Sequence, residues 1–566
     1  MLRHTFDYIR KHTILFFLII PAFLLHMLVM LPSGTNMCLG ERCGYHFWGV
    51  NSFDGVWHLE IAAAAFKTLP FIVPTYAGAT LSGYNILMDF ILFLLSKIGI
   101  PPIVTLFKII PLCWFIAYTL LMVMLARRIK DTVLFVATVL FFGYFAGHFG
   151  YILQLYHDGS IFAGTQSFAL QSATSLLNTQ FALSLVVLMG ILIIMLEKSY
   201  TVGAAVLMGM LVALNFGLKF YGGTVSLFLA TIYLIESFLS KKNIVLTLKQ
   251  CLIMGLLVAG SIMLFYNPFE ATKTGSVFTF SPFATVHSVI EADNMVYLPN
   301  LVNARYFLYA HRGMGTRLLF IELFSVVLYV FLNFGTRIFG FIYSFVLGLQ
   351  RKMQRIDMYL LLSSIFATTL TVLFIQKGDW WNTVQFSYYG IFLANFLVAR
   401  LVYDLFSSRK IIGVAGAVII LGATIPSNAL VVATFTDPNT AYIPRSEMRA
   451  LNHLKSLPNG VVFSSFDQKK DMTYPFLSYE QTGYVSVFTG KQVYLGHTGP
   501  LTIIGVDYKP RLERIKKHDC TVFNEVDYIY FVKAYSPEVI EKCKLIEEKK
   551  FRVSYEDETA VVYRKL

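Results

Sequence analysis

The sequence predicts a polytopic α-helical membrane protein that ends in a small water-soluble α/β domain. Three observations predict it. The chain of 566 residues is 56% hydrophobic and only 14% charged, against roughly 25% charged for an ordinary soluble protein, and its mean hydropathy is +0.63. Apolar runs long enough to cross a bilayer recur from residue 13 to about residue 435. Charge is displaced toward the carboxyl end: from Asp437 onward there are 19 Lys/Arg and 17 Asp/Glu, nearly half of the chain's charged residues in under a quarter of its length. A boundary between a lipid-dissolved and a water-dissolved part near residues 435/436 follows.

In chain order, the basic stretch MLRHTFDYIRKH leads into TILFFLIIPAFLLHMLVMLP. At 1.5 Å per residue this run spans a hydrocarbon core of about 30 Å. No small-residue cleavage site follows it, so it reads as an uncleaved first span with its amino end inside. Further runs begin near Asn85, Ile103, Thr132, Phe181, Val202, Thr224, Cys251, Leu318, Phe339, Tyr359, Tyr388 and Ile411. Basic clusters occur at Arg127-Arg128-Lys130, Lys198, Lys241-Lys242, Arg351-Lys352-Arg355 and Arg409-Lys410. The bias of Lys and Arg toward the cytoplasm puts these inside. Segments 33–84, 148–180 and 267–316 are then outside, with the tail. Two places strain this count: the short run from Asn85 to Ile98, and residues 318–350. Each contains a partial or re-entrant segment, or the charge rule fails there, and the expected number of spans is 11 to 13.

The tail, 436–566, alternates strand-like and helix-like runs. GVVFSSF, YVSVFTG, QVYLG, YIYFV, FRVSYE and AVVYRK are β-branched and aromatic, bounded by turn residues. RSEMRALNHLKSL and SPEVIEKCKLIEEKK have helical spacing. The pattern predicts a small α/β sandwich placed outside catalysis. Its net charge is only +2, and this near balance argues against the strongly basic domain that nucleic-acid binding calls for. Cys38 and Cys43 share one outer loop, and Cys520 and Cys543 share the tail. Two local disulfides, or free thiols, fit equally well.

The segment after the first span, FWGVNSFDGVWHLEIAAAAFKTLPFIVPTYAGATLSGYN, carries Asp54, His58 and Glu60 within seven residues. Asp54 and His58 are four apart and share a helix face. A carboxylate beside apolar surface has its proton affinity tuned by desolvation. That suits a general base toward an acceptor hydroxyl, or a metal or phosphate site. The alternative is an Asp that caps an interfacial helix, with His58 and Glu60 solvated.

A first span followed by a long outer loop with an acidic residue near its start resembles the GT-C superfamily of membrane glycosyltransferases, which includes the protein mannosyltransferases and the aminoarabinose transferase of lipid A. LSGYNILMDFILFLLSKIGIPP looks like the turn before the second span in that group, and YVSVFTGKQVYLG is similar to exported tails of uncharacterised prokaryotic members. The resemblance implies a GT-C-like fold, a polyprenyl-phosphate-linked sugar donor, inversion at the anomeric carbon, and Asp54 as the catalytic carboxylate. It departs in two ways. Asp54 is followed by Gly55 rather than a second acid. No WWDxG-like motif occurs, since GDWWN at 378–382 has a different order. The resemblance is therefore to the superfamily and not to its oligosaccharyltransferases.

Other candidate binding residues lie in or beside the remaining outer segments. His157 and Asp158 could join Asp54 around an acceptor or a divalent cation, imidazole and carboxylate being ligands for several metals; a polar loop ended by the Asp-Gly turn is the plainer reading. Lys219 stands near the end of an apolar run, where it would either hold a donor phosphate or snorkel to the surface. Arg305 and Arg312 suit bidentate phosphate contact or interfacial anchoring. Gln385, beside Trp380 and Trp381, is a pocket candidate. No cofactor is certain. The expected partners are the lipid-linked donor, membrane lipid, and a glycan, lipid or protein acceptor. The function expected is sugar transfer at the outer face of the cytoplasmic membrane; the alternatives are a lipid-sugar flippase or transporter, and a non-catalytic envelope-assembly protein.

Overall fold

The computed structural model describes residues 2–161, 169–197, 199–271, 277–313, 315–435, 441–464, 483–533, 542–544 and 550–566. Their contacts separate into two compact units. One holds Met1–Met27, Leu112–Leu264 and Ser276–Thr434; the other holds Leu28–Pro111, Phe265–Gly275 and Phe435–Leu566. The first outer segment thus groups with the tail, while the break at 434/435 falls where composition changes.

Nine helices among the described residues are long and apolar enough to cross a membrane: Thr13–Met30, Pro102–Ile129, Thr179–Glu197, Phe220–Lys241, Ile244–Tyr266, Thr316–Phe334, Arg355–Leu373, Trp380–Ser407 and Ile411–Leu430. The pair Val133–Phe145 and Gly150–Asp158, bent by 49°, makes a tenth if it is one span, and Val202–Leu218 and Arg337–Leu349 are shorter apolar helices. Both troublesome places resolve into short pieces. The run near Asn85 forms a helix of 11 residues, Leu87–Lys97, about 16 Å long and unable to span. The run near Phe339 forms a helix of 13 residues, Arg337–Leu349, about 20 Å long.

The helical unit contains a charge that periodicity gives no hint of. Arg337 is fully buried. Its guanidinium donates to Asn395 Oδ1 at 2.6 Å, Gln171 Oε1 at 3.0 Å, and the carbonyls of Ala146 and Gly147 at 2.8 and 2.9 Å. Those carbonyls belong to the break in the bent pair, where the helix leaves them without partners along the chain. One forked donor set satisfies both, which is how an unwound stretch is tolerated among apolar helices.

The second unit is built on two sheets. The hairpin β1 (Thr35–Leu39) and β2 (Arg42–Phe47) is antiparallel, and β2 pairs antiparallel with β3 (Ala441–Pro444) from the start of the tail. The larger sheet contains β4 (Val461–Ser464), β5 (Gln492–Val493), β6 (Tyr528–Val532), β7 (Phe551–Glu556) and β8 (Ala560–Lys565), in spatial order β5-β4-β6-β8-β7. β4 is parallel to both β5 and β6, and β8 is antiparallel to β6 and β7. Helix α1 (Asp54–Ala64), helix α2 (Leu87–Lys97) and helix α3 (Arg445–Ser456) complete the frame. One core joins Trp57, Ile61 and Phe66 of the first outer segment to Phe463, Tyr494, Leu501 and Phe531 of the tail. Burial of these large apolar groups, at about 25 cal/mol per Å², makes the loop and the tail one folded body.

Both disulfides are present, Cys38–Cys43 across the hairpin and Cys520–Cys543 in the tail. Cys113 and Cys251 are free and exposed. Most of the predicted tail strands are found, but YVSVFTG is not a strand. Tyr484–Thr489 is a six-residue helix, ended by Gly490 at φ +66°. Packing decided this against β propensity: Tyr484, Val485, Ser486 and Thr489 are buried, and Gly490 supplies the left-handed cap. The helix expected from SPEVIEKCKLIEEKK lies mostly outside the described residues.

Candidate active site

Helix α1 places the chemistry of the first outer segment. Asp54 occupies its first turn and is exposed; a carboxylate there is favoured by the positive end of the helix dipole. His58, one turn on, is buried, and its Nδ1 lies 2.9 Å from Oδ1 of the fully buried Asp89 in α2. A carboxylate on Nδ1 fixes the orientation of the ring. Tyr84 joins this face, its ring 6.3 Å from that of His58. Burial, then the charges of Asp89 and Asp54, push the Tyr84 phenol well above its ordinary range. The phenol stays protonated beside two acids. Asp89, an acid in the apolar run NILMDFILFLL, is thus the partner of His58.

Glu60 turns away from that face. It is fully buried rather than solvated, and its Oε1 lies 2.5 Å from Nδ1 of His497, a tail residue that is also fully buried. Burial pushes the Glu60 carboxyl well up. Burial, and then the nearby His58, push the His497 imidazole down to about 3. Both displacements favour an uncharged pair sharing one proton. The rings of Phe53 and Trp57 stand edge-on to His497 at 4.5 and 5.7 Å. Glu60 Oε2 and His497 Nε2 have no hydrogen-bond partner among the described residues. Two backbone features accommodate the pair. His497 takes φ +45°, uncommon for a residue with a side chain. At Gly483 a Cβ would lie 1.7 Å from Glu60 Oε2, so only glycine fits.

The other expected site residues belong to the helical unit. Lys219, at the junction of two helices, is buried, and its ammonium lies 6.0 Å from the ring of Tyr221. The Tyr221 hydroxyl donates to Gln376 Oε1 at 2.5 Å, Asn382 Nδ2 donates to the same oxygen at 2.8 Å, and Gln385 donates to Asn382. Lys219 and Gln385 therefore belong to one polar cluster, in which Gln385 Oε1 is buried without a partner among the described residues. Arg305 is engaged elsewhere: it donates to Glu291 Oε1 at 2.9 Å and Glu322 Oε1 at 3.0 Å, and contacts His287 at 2.7 Å. Its charge is balanced inside the protein. Arg312 ends the helix Pro299–Arg312, and its side chain is outside the described residues. His157 and Asp158 are exposed at the end of Gly150–Asp158, which Gly159 closes at φ +66°. His157 Nε2 meets the carbonyl of Met295. Among the described residues no three His, Cys, Asp or Glu side chains form a group that could hold a metal.

No family model matches the sequence. No curated protein matches it. Solved structures do. The oligosaccharyltransferase of Archaeoglobus fulgidus in the apo form aligns with 98% of this chain and 74% of its own, at 11% identity and a TM-score of 0.49. The same enzyme in complex with Zn and sulfate aligns with 97% of this chain and 73% of its own, at 12% identity and a TM-score of 0.47. The oligosaccharyltransferase AglB from Archaeoglobus fulgidus, in complex with an inhibitory peptide and a dolichol-phosphate, aligns with 96% and 73%, at 14% identity and a TM-score of 0.46.

Proposed function

We propose that this protein is a membrane glycosyltransferase of the GT-C type. It would transfer a sugar from a polyprenyl-phosphate-linked donor to a hydroxyl-bearing or lipid-linked acceptor at the outer membrane face. The observation that carries the reading is the face of α1. Asp54 is an exposed carboxylate, and one turn below it His58 is held by the buried Asp89 at 2.9 Å. Asp54 takes the proton of the acceptor hydroxyl as the oxygen attacks the anomeric carbon and the lipid phosphate leaves. The His58–Asp89 pair and the neutral phenol of Tyr84 set the polarity around that base. With a phosphate leaving group, most of the remaining task is to meet developing negative charge with fixed cations and donors. The helical unit has a polar cluster of its own, Lys219, Tyr221 and Gln385, whose chemistry suits a phosphate. Arg305 is a weaker choice because Glu291 and Glu322 already neutralise it.

The outer placement is supported by the failure of Leu87–Lys97 to span, which returns Arg127-Arg128 to the inside, and by two disulfides, bonds that persist in oxidising compartments. The test is reconstitution in vesicles with polyprenyl-phosphate-linked sugars. Asp54→Asn should lower kcat by about 10²–10⁴, the range for loss of a general base, with KM for the donor little changed. Transfer by Asp54→Asn at the wild-type rate removes the assignment, and net sugar transport without transfer would favour a flippase.

A further inference from the structure

Below the loop-tail core of the second unit lies a cavity of about 440 Å³. It opens on the side of α1 away from the candidate base: its floor includes Leu59 and Ala63, which at 100° per residue lie about 140° and 180° around the helix from Asp54. Pro102 and Ile103, with Val487 and Phe488, extend the apolar floor. The opposite wall is α3, which buries Ala450, Leu451 and Leu454 in the core and turns Arg445, Arg449, Asn452 and Lys455 toward the cavity. These cations are poorly compensated. Among the described residues Arg445 Nε reaches the amide oxygen of Asn36 at 3.2 Å and no carboxylate, Arg449 is 3.6 and 3.7 Å from Asp557 and Glu558 with its side chain 58% exposed, and Lys455 has no ion-pair partner. More positive charge is close by. The Lys67 ammonium is pushed down by burial and by the like charges of Lys97 and Lys455.

The cavity also has a level. Pro102 opens an apolar helix of 28 residues, about 42 Å long, which matches a bilayer of about 40–45 Å including its headgroups. A span of that length would set its end at Pro102 and Ile103 at headgroup level. We propose that this cavity binds a phosphate ester bearing an apolar chain, an anionic membrane amphiphile, with Arg445, Arg449 and Lys455 on the phosphate and the Ile103–Phe488 floor against the first methylenes. Three cations, of which only Arg449 has carboxylates within 4 Å among the described residues, face an apolar surface, and that pairing matches an anionic amphiphile better than a neutral ligand. The site is independent of the Asp54 reading, being on another face of α1.

The experiment uses the purified full chain in a neutral detergent. Phosphatidylglycerol should raise the melting temperature and remain as adducts in native mass spectra, while phosphatidylcholine at equal mole fraction should do neither. The variant Arg445→Gln/Arg449→Gln/Lys455→Gln should lose about a hundredfold in apparent affinity, each cation near an anionic membrane surface contributing about fivefold. A charge-matched control, Lys516→Gln/Lys517→Gln/Arg552→Gln, should bind as wild type, and so should Asp54→Asn. Where the triple variant does not fold, Arg449→Gln alone should lose about fivefold. An unchanged response in these variants, or an equal response to both lipids, overturns the proposal. An equal shift with inorganic phosphate alone also overturns it, by assigning the cavity to a soluble anion.

Discussion

Glu60 and His497 share one proton in the interior of the second unit, which gives stability a defined pH dependence. The folded pair holds one proton on the carboxyl because Glu60 is shifted up from 4.5 and His497 down from 6.5 to about 3. For Glu60 the stabilisation is complete below 4.5 and is lost as pH rises toward its folded value. For His497 it is complete above 6.5 and is lost as pH falls toward 3. Between 4.5 and 6.5 the unfolded pair also binds about one proton, and the two slopes offset. The pair's contribution therefore peaks there, falling at up to about 1.4 kcal/mol per pH unit on either side. Denaturation followed across pH should show that maximum, and Glu60→Gln should flatten the alkaline limb. Gly483→Ala should destabilise by about 1–3 kcal/mol, since the new methyl overlaps the carboxylate. Of this arrangement, the sequence exposed only what is local. The four-residue step from Asp54 to His58 is visible in any helix, whereas His497 is 437 residues from Glu60 and no spacing rule connects them. Nor does any spacing rule connect His58 with Asp89, 31 residues away.

Elements were legible where their pattern was long. The spans, the strands YIYFV, FRVSYE and AVVYRK, and helix α3 all follow their periodicity. Tyr484–Thr489 misled because six residues are too few for a helical period to show, and its β-branched residues owe their conformation to what they pack against. Gly490 ends that helix, and Gly490→Ala should cost about 1 kcal/mol, the price of a left-handed cap without glycine. The bridge Cys520–Cys543 closes a separation of 23 residues in the tail. Cys520→Ser should lower stability by about 3 kcal/mol through the freer unfolded chain, measured by thermal unfolding with and without reductant. The short helices Leu87–Lys97 and Arg337–Leu349 could be suspected from their length, but composition gave no means of choosing between a partial span and a local failure of the charge rule.

At the scale of the molecule, two assignments remain to be tested by topology. An impermeant maleimide should label Ser456→Cys in intact cells, in a background lacking the exposed Cys113 and Cys251, whereas a cysteine replacing Arg409 should label only after permeabilisation. The sequence divided the chain at 435/436 by composition. By contacts, the first outer segment joins the tail, because the apolar residues of 57–66 find their burial there. Residues 441–566, expected to stand apart from catalysis, supply the partner of Glu60 two residues after His58. Removing them should abolish transfer rather than alter the choice of acceptor.

The pairing of β2 with β3 has a consequence for biogenesis. The hairpin at 35–47 leaves the ribosome almost 400 residues before the strand that completes its sheet, a delay of roughly 20–80 s at 5–20 residues per second. Throughout that interval β2 presents an open hydrogen-bonding edge, and α1 lacks the surface that will bury Glu60. A nascent chain that stalls late, with every span already inserted, would still display an unfinished fold to the proteases and chaperones of the membrane surface.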